Sequence, residues 1–343
     1  MAGATSATKA SLHPPAGRVF SWLLIVVAGL TLLASGFYVY TRFITDNFHV
    51  VVPQKVFRSA QPDTDELQAW TEAYGLKTIV NLCGESSTPS YLEEVDAARQ
   101  VGAEIVNIRL PNKSLPESPC LMQLADVLEE AEKPLLLHCS EGADRTCLAS
   151  VMARMAVGGK SYDRAKEQMS IRFLHVDQDP EHIAGVLRQY EQYARLNQTG
   201  TGGWREFRHW LFHVYNPSYR YVSIQGPGRL AAGPGEEVRA TVHIKNRSAL
   251  VIPAGDPRKR FAVAVISGRP FREKVEKEFG PPIPLPKADI EPGGLVTVEL
   301  TFAAPLEIGA HRVYFDLIED GTEYFSHDGS PLGFCDLVVT KEP

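Results

Sequence analysis

Little in this chain supports a metal, disulfide or nucleic-acid framework. Its 343 residues hold 5 cysteines, at positions 83, 120, 139, 147 and 335, and no CxxC pair. That spacing excludes a zinc knuckle, and an odd, irregular set excludes a disulfide scaffold. Positive charge is also scarce. Lys and Arg number 35 against 41 Asp and Glu, a formal net charge of -6. A nucleic-acid surface needs a clustered basic stripe, and none is present. There is no internal repeat and no long low-complexity run. With 44% hydrophobic and 22% charged residues the composition is globular rather than disordered. At about 150 residues per domain, the length allows two domains.

One stretch lacks charge altogether. Residues 19–41 contain the run FSWLLIVVAGLTLLASGFYVY. About 20 apolar residues cross a bilayer as a helix. Trp22 at one end and Tyr38 and Tyr40 at the other suit the interfacial aromatic belts. Ala34-Ser35-Gly36 imitates a signal-peptide cleavage site, but the apolar run exceeds the usual h-region of about 7–15 residues. A single uncleaved membrane helix after a short tail, residues 1–18, is therefore expected. Lys9 and Arg18 precede it and no acid occurs before Asp46. That bias favours a cytoplasmic N-terminus, with the rest of the chain on the non-cytoplasmic side, although Arg42, Lys55 and Arg58 oppose it.

Residues 45–197 alternate apolar strands and amphipathic helices, the pattern of a mostly parallel α/β sheet. Strands are expected at 50–52, 55–57, 77–82, 104–108 and 134–138. Asp63 or Thr64 opens one helix, and another lies near 91–100. Ser118-Pro119 opens a third, with Ser at the cap and Pro at the first helical position. Further helices are expected at 147–156, 161–172 and 180–196. Residues 198–218 read as a linker: a flexible QTGTGG break, then a short aromatic helix carrying Trp204, Phe207, Trp210 and Leu211. That helix is expected to pack on its own domain, because Lys and Arg are not concentrated on its polar face.

The chemistry concentrates at 138–146, HCSEGADRT, between an apolar strand and a helix. A cysteine and an arginine five residues further on, at a strand-to-helix turn, can wrap the backbone into a nest of N–H groups for phosphate oxygens. The helix N-terminus adds its positive field. That field and a nearby cation favour the thiolate of Cys139. Arg145 can grip two oxygens in a bidentate fork. Thr146 can donate its hydroxyl to the sulfur as it leaves. His138 can order the loop from behind by bonding its carbonyls.

These residues resemble the cysteine-dependent phosphatases, in the dual-specificity or atypical dual-specificity branch. The resemblance spans roughly residues 50–197. It includes VFRSAQP at 56–62, like the family's entry strand and turn, and MAVGGKSYDRAKEQM at 155–169, like the segment after its signature helix. It implies a phosphocysteine intermediate with no metal and no organic cofactor. Carried over, Cys139 is the nucleophile, Arg145 the phosphate binder and Thr146 the hydroxyl assistant. Ser140, Glu141, Gly142, Ala143, Asp144 and Arg145 form the substrate-binding loop. Cys147 departs from the glycine usual there.

The general acid is less determined. The family takes an aspartate from a loop some thirty residues before the cysteine, but Leu110–Pro119 contains none. Asp144, as in lipid-phosphatase loops ending DRT, and Glu117 are the candidates. The loop also lacks lysine, which disfavours polyphosphorylated inositols. A phosphoprotein, a phosphorylated lipid of single phosphomonoester type, or a pseudoenzyme with a functional β-domain remain as readings. Cys83 ends a strand expected beside the Cys139 strand, and the Asn-Leu-Cys ending resembles the branch in which a second cysteine traps the nucleophile. It is the candidate redox partner.

From about residue 219 helical periodicity stops. Five strands are expected, at 237–244, 261–266, 295–302, 311–317 and 334–339, separated by Gly233-Pro-Gly235 and Pro292-Gly-Gly294. This is the pattern of an immunoglobulin-type β-sandwich over 219–343. The motifs IEPGG and GAHRVYFDLIEDG resemble immunoglobulin-like modules of bacterial surface-polysaccharide proteins and autophagy receptors. That resemblance implies binding of carbohydrate or protein.

Overall fold

The computed structural model describes residues 16–176, 182–267, 277–321 and 323–341. Most of the expected N-terminal tail, and Pro180 at the expected start of the last α/β helix, lie outside these residues. Residues 1–46 and 47–343 form two separate units.

In the first unit, α1 (Ala16–Val39) passes into a π-helical turn over Tyr40–Ile44. The stretch Trp22–Arg42 has a mean hydropathy of 2.1, and its residues from Trp22 to Tyr40 are exposed. By length and composition it is a weak candidate for a membrane span.

The second unit begins with a five-stranded sheet. Its strands are β1 (His49–Val52), β2 (Val56–Ser59), β3 (Thr78–Asn81), β4 (Glu104–Asn107) and β5 (Leu135–His138), in the order β1-β2-β5-β3-β4. Only β1 runs antiparallel to its neighbour. All four residues of β5 are buried, as a central parallel strand covered on both faces requires. Ser59 and Asn81 both register with His138, so the carboxyl ends of β2, β3 and β5 finish level. Ligands of open α/β sheets bind at that edge.

Eight helices are described in all. After α1 come α2 (Thr64–Tyr74), α3 (Pro89–Gln100), α4 (Ser118–Glu130) and α5 (Asp144–Ala156), then α6 (Tyr162–Ala165), α7 (Gly185–Leu196) and α8 (Trp204–His213). Asp63 caps α2 in a reciprocal box with Glu66, the carboxyl of each accepting from the other's amide at 2.8 and 2.9 Å.

Two expectations need correction. Ser118 does not cap α4; Glu117 holds the cap position, and the Ser118 hydroxyl is drawn to the Tyr215 carbonyl at 2.6 Å instead. The helix expected over 161–172 is broken into α6 and two 3-10 turns, because the Ser170 hydroxyl accepts from the Arg172 amide and Leu174 turns left-handed at φ 62. The aromatic helix forms as expected and packs on its own domain: Phe207, Trp210 and Leu211 of α8 lie in the α/β core. The Tyr162 amide also donates to the Gly202 carbonyl at 3.1 Å.

Residues 222–339 form two sheets around one core. One holds β6 (Val222–Gln225), β8 (Glu237–Asn246) and β12 (Leu295–Ala303), in the order β12-β8-β6. The other runs β10 (Lys277–Glu278), β9 (Phe261–Ser267), β13 (Gly309–Glu319), β15 (Gly333–Val339) and β7 (Arg229–Ala232). There β11 (Ile283–Pro284) and β14 (Glu323–Tyr324) pair at the margins. Exposed and buried residues alternate through all of β8, as a half-buried strand requires. Val242 and Leu300 of the first sheet share a core with Val263, Phe315 and Leu337 of the second. The five long strands were legible. The strands of 2 or 4 residues were not, being too short to show a period.

Helix α4 joins the two parts of this unit. The nearly buried Asp126 carboxylate accepts from the Tyr221 hydroxyl at 2.6 Å, from Arg247 at 2.7 Å and from Arg208 at 3.1 Å. Burial and that carboxylate push the Tyr221 phenol well above its usual range. Gly329 fits against Cys120, where an added Cβ would meet the sulfur at 2.1 Å. Asp126→Ala leaves the buried Tyr221 hydroxyl without its partner, while Arg247 keeps Glu130 and Arg208 keeps Glu129. It is expected to cost about 2 kcal/mol, within the range for leaving a buried polar group unsatisfied. Chemical denaturation against the wild type measures it, and a change below about 0.5 kcal/mol, the level of an ordinary surface substitution, would show the joint to be dispensable.

Candidate active site

Residues 138–146 leave β5 at the carboxyl edge and enter α5. The turn depends on Gly142, whose φ of +65 lies in the left-handed region. A Cβ there would meet the Ser59 carbonyl oxygen at 2.6 Å and the Ala60 nitrogen at 2.7 Å. Glycine is therefore required both for conformation and for contact with β2. Cys139 lies at the base of the loop, 3% exposed. Arg145 is half-buried and makes no ion pair or side-chain hydrogen bond among the described residues. Its guanidinium is available to an anion. The Thr146 hydroxyl is buried and also without a protein partner.

A nest that turns its N–H groups inward turns carbonyls outward, and these need donors. Asn47 and Arg58 supply them, and sequence reasoning missed both. The Asn47 side-chain amide donates to the carbonyls of Glu141 at 3.2 Å, Gly142 at 3.0 Å and Phe173 at 3.2 Å. Arg58, fully buried on β2, donates to the Gly142 carbonyl and, at 3.1 Å, to Gln168. It also lies 3.4 Å from the Cys147 sulfur and 4.3 Å from the Phe173 ring centroid. Burial and the charges of Arg58 and Arg172 press the His49 imidazole down to about 4. The signal for Arg58 was present, in a charged residue at the centre of an apolar strand.

His138 does not bond the loop carbonyls as expected. Its Nε2 lies 2.7 Å from Glu94 Oε1 on α3, both side chains fully buried. Gln61 donates to the other oxygen of Glu94 at 3.1 Å. The demand of that buried carboxylate draws the ring away from the loop.

The two candidate acids are placed differently. Asp144 is the first residue of α5, and its Oδ1 lies 2.7 Å from His175 Nδ1. Glu117 is exposed beside the β-rich part, where Asn216 donates to it at 3.2 Å. No hydrogen bond or ion pair joins it to the 138–146 loop among the described residues.

Cys83 follows β3, the neighbour of β5. The Ser140 amide hydrogen-bonds its sulfur, and Cys139 and Arg145 are near enough to act on it electrostatically. Burial raises the Cys83 thiol, and Arg145 only partly offsets that. Burial also raises Cys147, which points into the core beside Arg58.

Residues 39–180 match the family model described as a DSP-PTPase phosphatase fused to NAD+ kinase. The α/β part is thus similar to phosphatase domains of dual-specificity type. Three solved structures are similar to part of the chain. Tk-PTP in its active form is 20% identical with a TM-score of 0.34, the match covering 45% of this chain and 97% of Tk-PTP. The core catalytic domain of the PP-IP phosphatase SIW14 from S. cerevisiae, in complex with citrate, is 22% identical with a TM-score of 0.33, covering 44% and 93%. PTPMT1 in complex with PI(5)P is 14% identical with a TM-score of 0.36, covering 45% and 100%.

The Gly142 contacts give a direct test of the loop. Gly142→Ala should keep the fold but displace the loop from Ser59 and Ala60. A displacement on the order of 1 Å costs roughly a hundredfold in rate. Hydrolysis of nitrophenyl phosphate is the measurement, with circular dichroism to verify the fold. An unchanged rate would mean that the backbone between residues 139 and 145 tolerates the shift.

Proposed function

We propose that the protein is a phosphomonoesterase that works through a phosphocysteine at Cys139. The observation that carries this reading is the buried Cys139 and Arg145, unpaired among the described residues, at the two ends of a loop braced from behind by Asn47 and Arg58. In the first step the Cys139 thiolate attacks phosphorus and the bond to the leaving oxygen breaks. Asp144 protonates that oxygen. Arg145 and the amides of residues 140–145 hold the equatorial oxygens as charge builds. In the second step water attacks the phosphocysteine, Asp144 takes its proton, and the Thr146 hydroxyl donates to the departing sulfur.

The substrates that suit this site are single phosphomonoesters, of phosphotyrosine, phosphoserine or phosphothreonine type. Glu141 and Asp144 lie in the loop and no lysine does, so it offers little for several phosphates at once. A second reading, a phosphorylated lipid of the phosphatidylglycerophosphate or phosphoinositide kind, is favoured by one observation. The apolar helix ending near Arg42 precedes the first loop-bracing residue, Asn47, by only a few residues. In both readings 19–41 anchors the chain in a membrane. The β-rich part serves as an immunoglobulin-like module for a carbohydrate or protein ligand; its two sheets packed around one core support a sandwich.

Cys139→Ser should abolish turnover, since a hydroxyl is neither ionised nor a good leaving group, while tungstate still binds the intact nest. Turnover near the wild-type rate in that variant would overturn the mechanism. A panel of phosphotyrosine and phosphothreonine peptides, phosphatidylglycerophosphate and phosphoinositides separates the two substrate classes.

Cys83 is proposed to trap oxidised Cys139. Peroxide takes the thiolate to a sulfenic acid, and the Cys83 thiol displaces water from it to form a disulfide that a thiol reductant reverses. Wild type should recover activity after peroxide and reductant, and Cys83→Ser should recover less. Equal recovery would leave Cys83 as a packing residue.

A further inference from the structure

Asp144 occupies an awkward place for an acid. It is the first residue of α5, where the free amides and the helix field attract a carboxylate. Yet no side-chain cap closes α5. The carboxyl is instead drawn to His175, with Oδ1 2.7 Å from Nδ1. The His175 side chain is 5% exposed and that of Asp144 36%, so the imidazole is the fixed partner.

The fixing is thorough. The His175 amide donates to the Ser170 carbonyl at 3.2 Å, and the Phe173 amide to the same carbonyl at 3.0 Å. The Asn47 amide that braces the signature loop also holds the Phe173 carbonyl. The Phe173 ring meets Arg58 on one side and the edge of His49 at 5.0 Å. One set of bonds therefore sets both the loop and the point from which His175 reaches Asp144.

We propose that His175 is a positioning residue for the general acid: it holds Oδ1 of Asp144 so that Oδ2 faces the leaving oxygen. The inference rests on the phosphocysteine reading and on Asp144 as its acid. With the hydrogen on Nδ1, His175 donates to Oδ1 in every step. When the bond from phosphorus to the leaving oxygen breaks, its electron pair goes to that oxygen, which takes the proton from Oδ2. The carboxyl becomes a carboxylate, and a neutral hydrogen bond from Nδ1 becomes a charge-assisted one. The contact strengthens as the proton departs, which is the condition for it to raise the rate rather than only bind. In the second step Oδ2 takes a proton from the attacking water, and the pair returns to its starting state.

The test is the leaving-group dependence of the full chain in detergent, using nitrophenyl phosphate as the good leaving group and an alkyl phosphate as the poor one. His175→Ala should lower kcat/KM on the alkyl ester by roughly ten- to a hundredfold, within the span of general acid catalysis, and change kcat/KM on nitrophenyl phosphate little. This ratio excludes the second step, which both esters share. His175→Gln, which restores an N–H donor, should recover much of the loss. Equal loss on both esters, no loss on either, or no recovery with Gln would overturn the positioning role. Asp144→Asn is the control for the underlying reading. If it shows no leaving-group split, the acid assignment has failed. If it shows the split and His175→Ala does not, only the present inference has.

Discussion

A loop that is to bind an anion must turn its amides inward, and the outward carbonyls of residues 141 and 142 then need buried donors. Most of what surrounds the site answers that requirement. Asn47 and Arg58 satisfy those carbonyls. Arg58 in turn brings in Gln168, and Asn47 brings in Phe173. The turn carrying Phe173 delivers His175 to Asp144. A buried arginine with no carboxylate partner among the described residues is costly to keep in an apolar sheet. Its dipolar partners offset that cost, and the charge remains beneath the place where a phosphate would sit.

Much of the α/β domain was legible because its signals are local. The apolar runs around Ile79 and Leu136, the capping box at Asp63 and the HCSEGADRT motif each announce themselves within a few residues. The parts that were missed are long-range. Asn47 and the loop it braces are separated by 94 and 95 positions. Glu94 draws His138 away from the loop by a demand no sequence window contains. The Ser118 hydroxyl had a nearer use in view, as a helix cap, and the fold gave it a farther one at Tyr215. The aromatic run at 204–212 gave its periodicity truthfully, yet its burial in the α/β core came from contacts with α4 and α7 that only the fold supplies.

The β-rich part is bound to the α/β part by polar contacts on helix α4. Asp126 and Glu130 lie on that helix and receive Tyr221 and Arg247. The partially exposed arms of this network are worth little individually. The buried Asp126–Tyr221 contact is different, because separating the parts would strand the Tyr221 hydroxyl and leave Asp126 with Arg208 alone. The described fold is therefore one body from residue 47 onward, and the two parts are expected to unfold together.

Burial treats the thiols unequally. It raises Cys83 and Cys147, takes Cys335 up to about 11 and Cys120 up to about 12. Thiols held in that form are poor nucleophiles near neutral pH. On the proposed phosphocysteine reading, Cys139 instead lies at the base of an anion nest, beside an Arg145 guanidinium that is unpaired among the described residues. To an incoming electrophile the chain would then present one competent sulfur among five. A small anionic alkylating agent would find its address without any engineered tag, and the label it left would count active sites directly.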